Sequence, residues 1–340
     1  MKAVVSDAQG IETLRICKVE EPGDPPPGMA LVRTRAFSLN FRDLMVAAGK
    51  YGKPADQPQV AGSDMAGEVI AVGEGVTSLE PGDRVLNAPI TSWLAGTMQP
   101  EDFASFLGGN GVPGVFAEKV LLPARALVRF DQLSFVQAAT LPIAGLTAWA
   151  AVVTHGGLRP GGTALCLGTG GVSVFAAQIA RSMGARAILT SSSKEKAARC
   201  RELIGEDIQV LNYAQNPDWH EEARALTGGR GVDVVVETVG GESLGKSVQA
   251  VCHGGTVSLV GVLAGADSQV SVRHFLMRQV QVKGIFMESV AELRQFVRFV
   301  ENSALKPLID KEFRFEEVKD AYRHLQAQRH TGKVVVEMAD

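Results

Sequence analysis

The feature that most constrains this chain of 340 residues is a regular alternation of apolar, strand-like runs with helical stretches in its central part. Continuous apolar runs that alternate with helices are typical of a parallel sheet covered by helices on both faces. We therefore predict a doubly wound α/β domain. The predicted strands cover residues 163–167, 187–191, 210–212, 232–237 and 256–260, and the predicted helices cover residues 134–150, 171–183, 194–204 and 218–227, the first beginning with a capping box at Ser134 and Gln137.

The parts of the chain on either side of this alternation follow other patterns. Before about residue 125, short alternating runs such as residues 31–36 are broken by Gly and Pro, which predicts a strand-rich domain with tight turns. A length of 340 residues is typical of about two domains. Periodicity alone does not show where the tail packs, but it predicts strands at residues 280–285 and 333–336 and helices at residues 289–303 and 315–328.

Composition and charge exclude several classes of partner. The formal net charge is −3 and no basic run occurs, so the chain lacks the electrostatic footprint of a protein that binds nucleic acid or an anionic membrane. No stretch approaches the ~20 apolar residues of a membrane span, and the N-terminus lacks the apolar core of a signal peptide. We therefore expect a cytoplasmic protein. Its four cysteines should be buried thiols rather than a metal knuckle or redox couple, because Cys17, Cys166, Cys200 and Cys252 lie far apart and form no Cys-x-x-Cys pair.

A glycine-rich segment directly follows the first predicted strand of the alternating region. Gly168 and Gly170 occupy the first two positions of the G-x-G-x-x-G pattern, whereas the small residue Ser173 occupies the third. Such glycines allow a tight turn and let backbone amides approach a pyrophosphate at the positive end of a helix. A plain flexible turn is the alternative, but the surrounding strands and helices favour a dinucleotide site. Its predicted residues are Gly168, Thr169, Gly170, Gly171 and Val172.

The end of the second predicted strand bears on the choice of dinucleotide. A carboxylate there would accept a hydrogen bond from the 2′-hydroxyl of NAD and repel the 2′-phosphate of NADP. The chain instead continues Ser191-Ser192-Ser193-Lys194-Glu195-Lys196, whose hydroxyl and ammonium groups suit a phosphate dianion. We therefore expect NADPH rather than NADH, with contacts from Ser191, Ser192 and Lys196. The structural alternative is an ordinary capping box between Ser192 and Glu195.

Further motifs occur in a fixed order along the chain. They are Asn40-Phe41-Arg42-Asp43, residues 62–69, residues 81–85, residues 139–142 and 146–149, Gly170-Gly171-Val172, residues 178–181 and residues 231–237. Each motif alone is weak, but the ordered set is specific. In this set the chain resembles, over nearly its whole length, the quinone oxidoreductases and related zinc-independent, alcohol dehydrogenase-like members of the medium-chain dehydrogenase/reductase superfamily.

This resemblance implies an architecture for the whole chain. We expect a GroES-like, β-rich catalytic domain at residues 1–124 and a Rossmann domain with a doubly wound parallel sheet at residues 125–267. Residues 268–340 would return to complete the catalytic domain. The resemblance also suggests a homodimer, in which the strand near residues 280–286 pairs edge to edge.

The same resemblance bears on metal binding. Zinc-dependent relatives place Cys where this chain has Asn40, and His-Glu where it has Ser63-Asp64. Catalytic zinc requires about three protein ligands of the Cys, His or carboxylate type, for which Asn40 and Ser63 are poor substitutes. The cysteine-rich loop for structural zinc is also missing from residues 87–115. We therefore expect no metal.

Without zinc, another group must stabilise the negative charge that develops on a carbonyl oxygen as hydride arrives. The resemblance places Asn40, Asp43, Tyr51 and Thr147 at the nicotinamide. Tyr51 is the strongest donor candidate, because a phenol with a pKa of about 10 is protonated at neutral pH; the alternative is that it only closes the pocket. For Asp43 we favour a structural role at a helix start. Met45 stands where quinone reductases often have a second aromatic, which leaves the substrate open.

On the cofactor side, the resemblance implies contacts to both halves of the dinucleotide. Lys196 and Tyr213 would contact the adenosine phosphate end; a solvated lysine and a strand-end aromatic are the structural alternatives. The residues implied at the nicotinamide half are Val239, Gly240, Gly261, Val262 and Phe286.

These residues lead to one preferred function and two alternatives. We expect a metal-independent NADPH-dependent oxidoreductase that transfers hydride to a quinone or an α,β-unsaturated carbonyl, while the protein orients the reactants and donates hydrogen bonds. An NAD(P)-dependent alcohol dehydrogenase or carbonyl reductase is the first alternative. A non-catalytic NADPH-binding protein is the second, and it would need no donors such as Asn40, Tyr51 and Thr147.

Overall fold

A computed structural model describes residues 1–53 and 56–338 and divides the chain into two compact units. Unit 1 comprises Met1–Ile143, Glu288–Asn302 and Ile309–Asp340, and unit 2 comprises Ala144–Met287 and Ser303–Leu308.

In chain order the strands are β1 (Lys2–Ser6), β2 (Arg15–Lys18), β3 (Met29–Leu39), β4 (Gln59–Val60), β5 (Asp64–Val72), β6 (Arg84–Asn87), β7 (Lys119–Pro123), β8 (Leu127–Arg129), β9 (Thr163–Cys166), β10 (Arg186–Ser191), β11 (Gln209–Asn212), β12 (Val232–Glu237), β13 (Val251–Leu259), β14 (Gln281–Gly284), β15 (Ile309–Arg314) and β16 (Lys333–Glu337). The helices are α1 (Phe41–Ala47), α2 (Phe135–Ala138), α3 (Leu146–Trp149), α4 (Gly171–Ser182), α5 (Lys194–Ile204), α6 (Trp219–Ala225), α7 (Ser243–Ala250), α8 (Val272–Arg278), α9 (Val290–Glu301) and α10 (Val318–Gln326).

Unit 2 contains a parallel sheet with the strand order β11-β10-β9-β12-β13-β14. This order reverses direction between β9 and β12, which is the switch point at which doubly wound proteins bind dinucleotides. The predicted Rossmann architecture is confirmed. The sequence placed β12 and α5 at their observed bounds but missed α7 and α8 and the first residues of β13. Gly245 inside α7 lowers its helix propensity, which explains why that segment lacks a strong helical pattern.

The helix predicted from Ser134 to Ala150 is wrong in its continuity. The capping box at its start is confirmed, because Ser134 Oγ accepts from the Gln137 amide at 3.1 Å and Gln137 Oε1 accepts from the Ser134 amide at 3.0 Å. However, α2 ends at Ala138, where the Thr140 hydroxyl caps the Gln137 carbonyl at 2.6 Å. Pro142 has no amide to donate one turn back, so the chain continues as a π-helical turn before α3.

Unit 1 is built mainly from antiparallel strands. One sheet has the order β2-β1-β4, and a larger sheet has the order β15-β16-β3-β5-β6-β8 with β7 also paired to β3. Its core includes the stacked rings of Phe37 and Phe116, whose centroids lie 4.0 Å apart. In the pairing of β16 with β3, Val334 lies opposite Leu39. The start of β16 therefore lies beside the residues that precede α1.

The boundaries of the two units differ from the expected ones at residues 125 and 268. Residues up to Ile143 belong to unit 1, because Ser38 Oγ donates to the Ala139 carbonyl at 2.8 Å and the Ile143 amide donates to Asp64 at 3.3 Å. Residues up to Met287 belong to unit 2, because β14 extends the parallel sheet beyond β13. The chain returns to unit 1 at Glu288.

Two further features concern the chain as a whole. Among the residues that the structure describes, no helix is long and apolar enough to cross a membrane. The thiols of Cys17, Cys166, Cys200 and Cys252 are free.

Candidate active site

The glycine-rich loop of unit 2 connects β9 to α4. Gly168 has a φ of +82°, which favours glycine, and its amide donates to Thr190 Oγ1 at 2.9 Å. Gly170 is the N-cap of α4, and a Cβ added there would meet no atom within 4 Å. Because the first turn of any helix leaves backbone N–H groups unpaired, the open space beside Gly170 fits a pyrophosphate.

Ser173 replaces the third glycine of the fingerprint and fits in its place. Its side chain is buried, and its Oγ donates to the Leu167 carbonyl at 2.5 Å. The hydroxyl of Thr238 donates to the same carbonyl at 2.8 Å. Two side-chain donors therefore fix the end of β9, where the phosphate loop begins.

The segment after β10 brings several of the predicted cofactor residues together. The Tyr213 hydroxyl donates to Ser192 Oγ at 3.2 Å, and both side chains are exposed. Ser191 is buried and its Oγ accepts from the Ser193 amide at 3.1 Å, so this hydroxyl is already used within the loop. Lys196 lies in the first turn of α5 and is half-buried.

The capping box considered for Ser192 and Glu195 is wrong by one residue. Ser193 is the N-cap of α5, and its Oγ accepts from the Lys196 amide at 3.1 Å. The same hydroxyl donates to Glu195 Oε2 at 2.6 Å. The hydroxyl of Ser192 is therefore not needed to cap the helix.

The residues predicted for the nicotinamide half lie at the carboxyl ends of β12 and β13. Val239 and Gly240 follow β12, Gly261 and Val262 follow β13, and Phe286 follows β14. The segments after β12 and β13 touch, because the Ala264 amide donates to the Val239 carbonyl at 2.7 Å. Thr147 also belongs to unit 2, where it lies buried in α3.

In unit 1 the structure brings Asn40 together with two charged residues. Asn40 Nδ2 donates to Asp64 Oδ2 at 2.8 Å, and the Lys333 ammonium donates to Asn40 Oδ1 at 2.5 Å. Lys333 also donates to the Leu39 carbonyl at 2.8 Å and lies 3.9 Å from Asp64 Oδ2. All three side chains are buried. Burial raises the pKa of Asp64 and lowers the pKa of Lys333, and their mutual attraction opposes both shifts.

Asp43 and Tyr51 are linked through Arg42. Asp43 Oδ2 accepts from the Asn40 amide at 2.7 Å, which is the contact expected of a carboxylate with a structural role at the start of α1. Burial raises the pKa of Asp43 to about 6, although Arg42 lies 3.5 Å away and opposes the shift. The Arg42 guanidinium stands 5.1 Å from the centre of the Tyr51 ring. Burial raises the pKa of Tyr51, so its phenol stays protonated at neutral pH.

Two family descriptions match adjacent parts of the chain, namely the Alcohol dehydrogenase GroES-like domain over residues 26–132 and the Zinc-binding dehydrogenase over residues 171–302. The Zinc-type alcohol dehydrogenase-like protein C1773.06c of Schizosaccharomyces pombe is 38% identical over 348 residues, with 99% of each chain covered. The chain belongs to the medium-chain dehydrogenase/reductase superfamily. As a member of this superfamily it is an NAD(P)-dependent oxidoreductase.

Two other superfamily members cover the whole length of this one. The crystal structure of an NAD-dependent alcohol dehydrogenase is similar with a TM-score of 0.86 and 35% identity, and 100% of both chains is covered. The acryloyl-coenzyme A reductase of Metallosphaera sedula is 27% identical over 349 residues, with 99% of each chain covered.

The zinc in two of these names does not fit the donor groups of this superfamily member. In the part of the chain that the structure describes, no three His, Cys, Asp or Glu side chains are grouped so that they could hold a metal ion. At the positions where zinc-dependent relatives have their zinc ligands, both polar groups of the Asn40 side-chain amide already form hydrogen bonds, and Ser63 Oγ donates to Asp64 Oδ1 at 3.2 Å. The buried ammonium of Lys333 also contacts Asn40 and lies near Asp64. Catalytic zinc, by contrast, needs about three ligands of the Cys, His or carboxylate type.

Sequence reasoning missed Arg42 and Lys333 in these clusters, and it also missed Glu237, a fully buried carboxylate at the end of β12. Lys333 and Glu237 each carried a signal, because each stands next to three consecutive buried valines of a strand. A charged residue at such a position needs a specific partner. The partner itself was not visible, since Asn40 and Lys333 lie 293 residues apart in the chain.

Proposed function

We propose that this enzyme is a metal-independent, NADPH-dependent reductase that transfers hydride to a quinone or an α,β-unsaturated carbonyl. The observation that carries the cofactor choice is the end of β10, where hydroxyls of Ser192 and Tyr213 lie 3.2 Å apart beside the helix that holds Lys196. Hydroxyl and ammonium donors suit the 2′-phosphate of NADPH, which a carboxylate at this place would repel.

The bound dinucleotide would supply the hydride, and the residues of the chain would hold and orient it. Backbone amides around Gly170 and the N-terminus of α4 bind the pyrophosphate in this proposal. Val239, Gly240 and Thr147 then contact the nicotinamide half. Asn40 serves to order the residues before α1 through its bonds to Asp64 and Lys333.

Tyr51 is the proposed hydrogen-bond donor to the substrate carbonyl. Its phenol remains protonated because burial raises its pKa, and its ring is held by Arg42 and by an edge contact to Phe106 at 6.2 Å. Tyr51→Phe should lower kcat by about 10²-fold, the cost of one preorganised donor, and leave the Kd for NADPH unchanged. An unchanged kcat would show that Tyr51 only closes the pocket.

The proposed substrate class is supported by the name of one relative and by the chemistry of the substrate in that name. Acryloyl thioesters are α,β-unsaturated carbonyls, and acryloyl-coenzyme A reductase resembles this chain over its full length. Likeness to an NAD-dependent alcohol dehydrogenase supports the alternative of alcohol and carbonyl interconversion. A panel of quinones, enones, enoyl thioesters, aldehydes and alcohols, followed by cofactor absorbance, distinguishes the two. Turnover of alcohols and aldehydes alone would refute the proposed class, and stoichiometric zinc in the purified active enzyme would refute the metal-independent mechanism.

The cofactor choice is tested by a matched pair of lysines at the start of α5. Lys196→Ala should lower the affinity for NADPH by about tenfold and leave NADH unaffected, because it removes one charged hydrogen bond to the phosphate. Lys194→Ala is the control, since Lys194 is exposed in the same turn. Equal losses for the two variants, or a wild-type preference for NADH, would contradict the NADPH proposal.

We also propose that a second copy of the chain pairs with β14. This strand is exposed along its length and forms the outer strand of the parallel sheet. In the segment that precedes it, α8 packs against β13 and exposes Leu276 by 79% and Met277 by 66%, which is an unusually apolar surface for a helix in water. Leu276→Glu/Met277→Glu should convert a dimer to a monomer in light scattering, whereas Leu203→Glu on α5 should not. A monomeric wild-type protein would refute the proposal.

A further inference from the structure

Glu237 is a fully buried carboxylate at the end of β12, and it accepts hydrogen bonds on both oxygens. Oε1 accepts from the Val239 amide at 2.8 Å and from the Gly240 amide at 3.0 Å. Oε2 accepts from the Ser243 hydroxyl at 3.0 Å and from the Ser247 hydroxyl. The side chain therefore fixes the turn after β12 and the start of α7 at the same time.

The backbone of Glu237 binds a second segment. Its carbonyl accepts from the Val260 amide at 2.8 Å and from the Gly261 amide at 3.2 Å, where the chain leaves β13. The two segments are also joined to each other, because the Gly241 amide donates to the Gly265 carbonyl at 3.0 Å. One residue thus connects the turns that follow two neighbouring strands.

These turns touch through their main chains, with no room for side chains between them. A Cβ on Gly240, whose φ is +71°, would lie 2.6 Å from the Gly265 carbonyl oxygen, and a Cβ on Gly261 would lie 2.3 Å from the Thr238 carbonyl oxygen. Since apolar side-chain packing cannot hold such a contact, its geometry depends on main-chain hydrogen bonds between the two segments and on the bonds by which the Glu237 side chain fixes the turn at Val239 and Gly240.

The position of these turns relates them to the dinucleotide site. β12 is the neighbour of β9 across the switch point, and the Thr238 hydroxyl reaches the Leu167 carbonyl at the start of the phosphate loop. A dinucleotide bound at a switch point lies with one half over each side of the sheet. The adenosine half then lies over β10 and β11, and the other half lies over the turns that Glu237 holds.

We propose that Glu237 is a positioning residue for the nicotinamide half of the cofactor, because its side chain holds the turn at Val239 and Gly240, to which the segment after β13 is bonded, in the conformation that binds this half. The proposal rests on the dinucleotide site described above. It assigns to Glu237 no contact with the reacting atoms.

Two substitutions of nearly the same size as glutamate distinguish the effect of losing the hydrogen-bond acceptor from the effect of changing the side-chain volume. Glu237→Gln retains an oxygen for the two amides, and serine hydroxyls can rotate to accept from its NH2 group. Glu237→Met leaves both amides and both hydroxyls without an acceptor. We measure the Kd of NADPH and of adenosine 2′,5′-bisphosphate, which carries the adenosine half alone, with the full-length protein.

Glu237→Met should weaken NADPH binding by about tenfold or more and change the Kd of adenosine 2′,5′-bisphosphate by less than about twofold. Glu237→Gln should restore NADPH binding to within about threefold of the wild type. If Glu237→Met does not fold, Glu237→Asp replaces it in the experiment. Aspartate withdraws the carboxylate by one methylene, so this variant should also weaken the binding of NADPH but not that of adenosine 2′,5′-bisphosphate.

The control is Asp233→Asn on the same strand. Asp233 accepts from the Thr163 amide at 2.8 Å and from Arg230 near the opposite end of β12, so its loss affects the strand but not the turns beyond Glu237. It should change neither Kd. Equal losses of both ligands in Glu237→Met, or unchanged NADPH binding, would overturn the proposed role of Glu237. A wild type that binds adenosine 2′,5′-bisphosphate but not NADPH overturns it too, whereas a wild type that binds neither ligand refutes the dinucleotide site itself.

Discussion

The two units bury carboxylates in different ways. In unit 2, Glu237 is held by two backbone amides and two serine hydroxyls, all from the ten residues that follow it. In unit 1, Asp64 and Asp43 lie beside the cations of Lys333 and Arg42. The first arrangement consists of neutral donors that are close in sequence. The second consists of ion pairs, of which Asp64–Lys333 joins segments that are far apart in the chain.

Because of this difference, the two clusters should respond differently to mutation and to pH. Neutral donors that are close in sequence fix the shape of one turn, and they do not titrate near neutral pH. A buried ion pair costs desolvation energy on both sides, so the loss of one partner leaves an uncompensated charge. Unit 1 should therefore respond strongly to charge changes and to pH, whereas changes around Glu237 should act on cofactor binding.

The largest effect is expected for Lys333→Met. Removal of the ammonium leaves Asp64 buried without its cation, which should lower the free energy of unfolding by about 3–5 kcal/mol. The measurement is urea unfolding at neutral pH. Lys333→Met/Asp64→Asn should recover part of this loss, because the double variant has no uncompensated carboxylate at residue 64.

The matched control for that loss is an exposed ion pair of unit 1. Arg323 and Glu12 lie 2.6 Å apart at the surface. Arg323→Met should therefore lower the free energy of unfolding far less than Lys333→Met, because water screens an exposed ion pair. If Lys333→Met lowered the free energy of unfolding as little as Arg323→Met does, the buried ion pair would be no more important for stability than the exposed one.

A smaller effect is expected from the titration of Asp43. Its pKa is raised from 3.8 to about 6 in the folded protein, so the folded state holds the proton at pH values where the unfolded chain has released it. This contribution to stability is complete below about pH 4 and disappears as the pH rises through 6, a change of about 3 kcal/mol. The difference in unfolding free energy between wild type and Asp43→Asn should fall by this amount over that range.

The control for this pH effect has the opposite sign. A hydrogen bond from Ser92 lowers the pKa of Asp102, which contributes stability above its unfolded pKa that is lost in acid. The wild type should therefore gain stability relative to Asp102→Asn as the pH rises. A flat difference for Asp43→Asn would show that Arg42 and Lys333 compensate its burial completely.

The smallest effect is expected for Ser247→Ala in unit 2. It removes one hydroxyl donor from Glu237 and leaves the other three, which should cost about 2 kcal/mol for a hydrogen bond to a charged group. Denaturant unfolding at neutral pH measures the loss. An unchanged free energy of unfolding would show that the Ser247 hydroxyl contributes nothing beyond the other three donors to Glu237.

Local patterns predicted the elements of unit 2 more closely than its boundaries. The helix α5 and the strand β12 were placed correctly because each is marked by its own periodicity and flanking residues. The break after Ala138 was missed, since the residues on both sides of it are apolar and continue a helical pattern. The ends of the units were misplaced by about 20 residues because they depend on bonds such as Ser38 to Ala139, which no periodicity records.

By itself, the sequence determined the order of strands and helices around the phosphate loop and the polar segment after β10, because these signals are carried by neighbouring residues. The tertiary structure alone decided that Lys333 meets Asn40 and Asp64, and that Glu237 joins two turns. These contacts arise when strands pair across the chain and exclude water. Burial then makes each charged group depend on the partner that the fold places beside it.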